Sequence, residues 1–66
     1  MKIKIVLGGK KKEVEVKNGE NIIELAKRNN IILSNYIVKV NGKIVPENQV
    51  IKRYDKIEFI RIASGG

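Results

Sequence analysis

Only one stretch of this sequence carries the signature of a helix. Asn21-Ile22-Ile23-Glu24 reads as a capping box, in which the Asn21 side chain accepts from a free backbone N–H of the first turn while Glu24 reaches back. Ile22, Ile23, Leu25 and Ala26 follow within a turn and give an apolar stripe, with Glu24, Lys27 and Arg28 facing water. Asn29-Asn30 ends it, since Asn tolerates the left-handed conformation at a helix C-terminus and Lys27 and Arg28 suit the negative end of the dipole. A helix of about nine residues does not persist without tertiary packing. It must lie on a sheet built by the rest of the chain.

That rest alternates. Ile3, Ile5 and Leu7 alternate with Lys2, Lys4 and Val6, the period of two of a strand with one face on a core. Glu13-Val14-Glu15-Val16-Lys17 alternates again, so Gly8 to Lys11 reads as a hairpin turn, with Val14 and Val16 inside and Glu13 and Glu15 outside. After the helix, Ile31-Ile32-Leu33 is an apolar connection expected against the core, and Tyr36 to Val40 is a third strand. Asn41-Gly42 fits a type I′ turn into a short return strand, Lys43-Ile44-Val45, which Pro46 stops at a sheet edge. Glu47 to Arg53 is a loop or single helical turn anchored by Val50 and Ile51. Tyr54-Asp55 turns the chain into a last strand, Lys56 to Ile62, with Ile57 and Phe59 in the core.

Two hairpins, one helix between them and a final strand make an α+β layer, because the helix stripe and the strand faces can be buried only against each other. A right-handed crossover through the helix lets the last strand lie beside the first, in the middle of the sheet. This is the β-grasp arrangement: a mixed sheet of four to five strands packed on one helix. It is expected as one domain over residues 1–62, followed by a flexible tail over 63–66.

The composition narrows the chemistry. The chain has 66 residues with no Cys and no His. Aliphatic burial alone must stabilise it, and the usual general base and the strongest nucleophile and metal ligands are missing, so we expect neither an enzyme nor a metal site. No apolar run approaches the roughly 20 residues of a membrane span, and no signal peptide is visible. A cytoplasmic, monomeric protein is expected. Net charge is +7, from 14 Lys and Arg against 7 Asp and Glu. The cations are spread along the chain as on a solvated surface, the only run being Lys10-Lys11-Lys12, which this reading places in a turn. Richness in Ile, Lys and Glu also suits a thermophilic cytosol.

The remaining feature is the end, Ile60-Arg61-Ile62-Ala63-Ser64-Gly65-Gly66. At an average glycine usage of about 7%, a Gly-Gly end arises by chance about once in two hundred chains, so it gains weight only from the scaffold that precedes it. A partly exposed pair, Ile60 and Ile62, beside such a tail is what partner docking needs; the plain alternative tucks both under the loop at Glu47 to Arg53.

At full length the chain resembles the small sulfur carriers of the ThiS and MoaD type, relatives of ubiquitin. The likeness rests on the order of elements, on Asn41-Gly42-Lys43-Ile44-Val45-Pro46, on Asp55-Lys56-Ile57 opening the last strand, and on Gly65-Gly66 closing the chain. Ala63-Ser64 lacks the prolines that many MoaD-type carriers have there, and the chain is short, so it is more similar to ThiS. The resemblance implies that an activating enzyme uses ATP and Mg²⁺ to adenylate the Gly66 carboxylate. A sulfur donor such as a cysteine desulfurase or rhodanese then makes a thiocarboxylate for an acceptor synthase. Thiamine thiazole is the first destination, with molybdopterin or a tRNA base the others.

The residue chemistry agrees with that implication. A free α-carboxylate is ionised at neutral pH, and Gly65 and Gly66 can thread a narrow channel. From Ser64 the tail extends only ~3.3–3.6 Å per residue, roughly 10 Å, so the domain itself must dock, with Ile60, Arg61, Ile62, Ala63 and Ser64 as the docking candidates. ATP would be bound by the partner, since Gly8-Gly9-Lys10-Lys11 is too short for a phosphate loop. Two other readings stand beside this one. A ubiquitin-like modifier would use the same activation but end in an isopeptide bond from Gly66 to a target lysine. An RNA-binding β-grasp module would use the charge, against which Tyr36, Tyr54 and Phe59 as the only aromatics speak.

Overall fold

A computed structural model describes residues 1–53 and 55–62. The elements run β1 (Lys2–Leu7), β2 (Lys10–Glu15), α1 (Ile22–Arg28), a 3-10 turn (Leu33–Asn35), β3 (Tyr36–Val40), β4 (Lys43–Ile44) and β5 (Lys56–Arg61). They form one five-stranded sheet in the order β2-β1-β5-β3-β4. The last strand is the central one, parallel to β1 and antiparallel to β3, as the β-grasp expectation requires.

The helix forms where its cap signals place it. Glu24 N–H donates to Asn21 Oδ1 at 2.9 Å and Asn21 N–H to Glu24 Oε1 at 3.1 Å, so two orphan donors are satisfied reciprocally. Asn29 is the C-cap and Asn30 takes the left-handed conformation at φ 58°. Ile22, Leu25 and Ala26 are buried against Ile3, Ile5, Val38, Val40, Ile57 and Phe59 from the sheet, with Val16, Ile31 and Ile51 closing the ends. β1, β3 and β5 each contribute alternate residues to this core, and Tyr36 meets Phe59 edge-on with ring centroids 6.1 Å apart.

Four expectations are corrected. The first hairpin turn is Gly8-Gly9 alone: with both residues at positive φ, 55° and 85°, two residues suffice to reverse the chain. Lys10, Lys11 and Lys12 therefore lie in β2, paired with Leu7, Val6 and Ile5, rather than in a turn. Ile32 is 63% exposed, because only Ile31 and Leu33 of that connection turn inward. Val50 is 47% exposed while Ile51 is buried; Val50 sits in an isolated bridge to Asn21, which points its neighbour toward the core. The Asn41-Gly42 turn is as expected, with φ 53° and 83°.

One buried charge was not anticipated. Glu20 is 6% exposed and accepts from Lys17 N–H at 3.0 Å and from Arg28 Nε at 3.0 Å, while Arg28 Nη2 also donates to the Glu15 carbonyl. This clasp joins the end of β2 to the last turn of α1. Burial pushes the Glu20 carboxyl up, but the Arg28 and Lys17 hydrogen bonds and the two positive charges outweigh it and hold the group below its ordinary value.

Candidate functional site

The sheet has two faces, and only one is covered by the helix. On β5, Ile57 and Phe59 point to the core, so Lys56, Glu58 and Ile60 point away from it. Register carries that phase across the sheet. Ile60 pairs with Ile37, and Lys11, Val6, Glu58, Lys39 and Ile44 form the adjoining row. Ile37, Ile44, Ile60 and Ile62 are exposed by 41%, 71%, 39% and 46%, and Val6 is half-buried. An apolar stripe thus crosses the outer face at the end of β5 where the chain runs on toward residue 63.

Ile62 is held by its N–H, which donates to the Asn35 carbonyl at 2.9 Å. Ile60 and Ile62 are therefore not tucked under the loop at 47–53; they stand on the open face. Arg61, also exposed, has the opposite phase on the strand. Ala63, Ser64, Gly65 and Gly66 lie outside the described residues, as does Tyr54. Sequence reasoning missed Val6, Ile37 and Ile44 as members of the stripe. The signal was there for Ile37, since with Val38 and Val40 in the core the alternation leaves Ile37 outside.

The other end of this face is basic. Lys4 pairs with Lys56 across β1 and β5, flanked by Glu13 on β2, and Lys2 pairs with Glu15 one row further. Among the described residues the ion pairs are Met1 N-terminus to Glu15 and Arg28 to Glu20, so neither Lys4 nor Lys56 is in one. Among those residues no cluster of His, Cys, Asp and Glu could hold a metal ion, and no helix is long and apolar enough to cross a membrane.

Solved structures share the fold, among them these two. The chain is similar to the thiamine biosynthesis protein ThiS from Geobacter metallireducens, at 22% identity and TM-score 0.67 over 96% of this chain and 99% of that one. It is also similar to a ubiquitin-like protein from the hyperthermophilic archaeon Caldiarchaeum subterraneum, at 21% identity and TM-score 0.63 over 98% and 100%. Both likenesses bear on the fold, which is ubiquitin-like. The sequence itself matches the ThiS family over residues 3–66, nearly its whole length, and the chain belongs to that family of small ubiquitin-like sulfur carriers.

Proposed function

We propose that this protein carries sulfur as a thiocarboxylate on Gly66. The Gly66 carboxylate oxygen attacks the α-phosphorus of ATP on an activating enzyme and pyrophosphate leaves. The donor's terminal persulfide sulfur then adds to the acyl carbon, the C–O bond to AMP breaks and a C–S bond takes its place, giving an acyl disulfide. A thiol on a partner attacks the donor-side sulfur, so that the S–S bond breaks, the thiocarboxylate leaves and that thiol ends in a disulfide with the donor. ATP and Mg²⁺ belong to the activating partner, a cysteine desulfurase or rhodanese supplies the sulfur, and a synthase consumes it. Thiazole formation for thiamine is the destination we favour, on the family match. In this scheme the chain is a substrate of its partners and not itself an enzyme.

The observation that supports this reading best is the place of β5. It is the central strand, fixed on both sides, and the described chain leaves it at Ile62 beside an open apolar stripe of Ile60, Ile37 and Val6. A partner that grips the stripe brings the last four residues to its own active site, within the roughly 13–14 Å that they can span when extended. Intact-mass analysis of protein from cells should show a species heavier by one oxygen-to-sulfur exchange. A variant with one extra bulky residue after Gly66 should fold normally yet lose adenylation and sulfur delivery. Delivery that persists in that variant refutes the proposal, and a ladder of lysine conjugates that needs Gly66 would point to a protein modifier instead.

A further inference from the structure

The carrier reading accounts for the apolar end of the outer face and leaves its basic end unexplained. Edge protection explains Lys10, Lys11 and Lys12, which lie on the edge strand β2. It does not explain Lys4 and Lys56, which lie side by side on β1 and β5, strands paired on both sides. Like charges directly opposite in a sheet are destabilising. Lys2, Lys4, Lys56 and Arg53 line one shallow hollow there together with Glu13 and Asp55, and Lys4, Lys56, Lys11, Lys12 and Val6 line the next with Glu13, so cations outnumber carboxylates in both, with Glu58 standing between Lys56 and Ile60 on β5.

We propose that the outer face docks a protein partner with a carboxylate-rich strip set against Lys4 and Lys56, beside the apolar socket that takes Ile60 and Ile37. This rests on the carrier reading and names the chemistry of its activating partner's surface. The spacing follows from the strand: Lys56 and Ile60 are four residues apart, so the acidic strip lies ~13 Å from the socket, on the side away from the tail. An apolar centre with a charged border is the anatomy of a protein interface, and the border sets orientation and association rate. Nucleic acid fits less well. Tyr36 and Phe59 pack against each other inside rather than offering rings for base stacking.

The test is association of the full chain with the adenylating enzyme encoded in the same genome, followed by stopped-flow and by adenylation assay. The wild-type association rate should fall with salt. K4E/K56E should slow it by about tenfold or more at low ionic strength, with the dissociation rate little changed. K10E/K43E, at helix-side positions of the two edge strands and outside both hollows, should stay within about twofold. K4Q/K56Q guards against a folding artefact: with the like-charge pair removed it should be at least as stable as wild type and still associate more slowly, which a purely structural role would not produce. If both Lys4/Lys56 variants fold and associate at the wild-type rate, the acidic strip is refuted and the carrier reading stands. If the wild type is not adenylated at all, the carrier reading falls and this inference with it. Should K4E/K56E abolish binding of a fluorescent single-stranded RNA and leave association with the enzyme untouched, the face belongs to nucleic acid and the proposal is overturned.

Discussion

Glu20→Gln should turn the clasp between β2 and α1 into a measurable loss. The wild-type carboxylate, 6% exposed, accepts from Lys17 N–H and twice from Arg28. Glutamine keeps one acceptor oxygen but turns an amide NH₂ toward the guanidinium. Hydrogen bonds to charged groups are worth about 1.5–3 kcal/mol each, but the Arg28 side chain is 37% exposed and solvent screens its charge. A net loss of about 1–2 kcal/mol is therefore reasonable, or about 4–16 °C in Tm for a domain of this size. The pH dependence is the sharper test. Folding lowers the Glu20 pKa below its ordinary value of 4.5, so the stability it adds is whole above that value and is lost as pH falls through the lower, folded one. Denaturant melts of wild type and E20Q should differ at pH 7 and converge in acid. A gap that is constant from neutral pH to well below 4.5 would show that the clasp's charge contributes nothing.

Three other variants probe separate parts of the molecule. Ile37→Thr with Ile60→Thr keeps two β-branched residues but strips the stripe. Full burial of an Ile is worth about 1.5–3 kcal/mol, and docking would bury the remaining two-fifths, so the pair should weaken the activating enzyme's Kd by about 8- to 60-fold in a titration, with the far-UV spectrum unchanged. Asn41→Gly preserves the positive φ of the β3–β4 turn while deleting the bonds from Lys56 N–H and to Asp55; a chemical melt should register about 0.5–2 kcal/mol, and no change would mean that those bonds are idle. Ile57→Ala, at a wholly buried position between helix and sheet, should cost about 2–5 kcal/mol, enough to leave much of so small a domain unfolded at 37 °C.

The fold was legible because its signals are local. The Asn21 capping box, the Asn41-Gly42 turn and the alternation around Ile3, Val38 and Ile57 each fix an element from a handful of neighbouring residues, and one short helix leaves few ways to cover one face of a sheet. What failed was set by distant partners. Whether Lys10 to Lys12 lie in a turn or a strand depends on how tightly Gly8-Gly9 closes, and Val50 and Ile51 are told apart only by the bridge to Asn21 across the chain. The Glu20–Arg28 clasp joins residues eight positions apart through a helix boundary, where no periodicity marks it. The site was half legible for the same reason. Ile60 and Ile62 could be suspected from their own strand, whereas Val6, Ile37 and Ile44 join them only once register places five strands in order.

That order explains why one strand can serve two purposes without conflict. β5 is paired on both sides, so its backbone donors and acceptors are engaged with β1 and β3 and its position does not depend on what covers its outer face. Ile57 and Phe59 anchor it from the helix side at near-complete burial, while Lys56, Glu58 and Ile60 on the other side are left to vary in contact with solvent. Period-two geometry therefore separates stability from recognition residue by residue along a single segment. In a helix a substitution at i disturbs both of the neighbouring faces through its i+3 and i+4 contacts, but here the pleat isolates them. The outer face can hold an apolar stripe beside the Lys4–Lys56 pair because the core on the other side of the sheet does not depend on either.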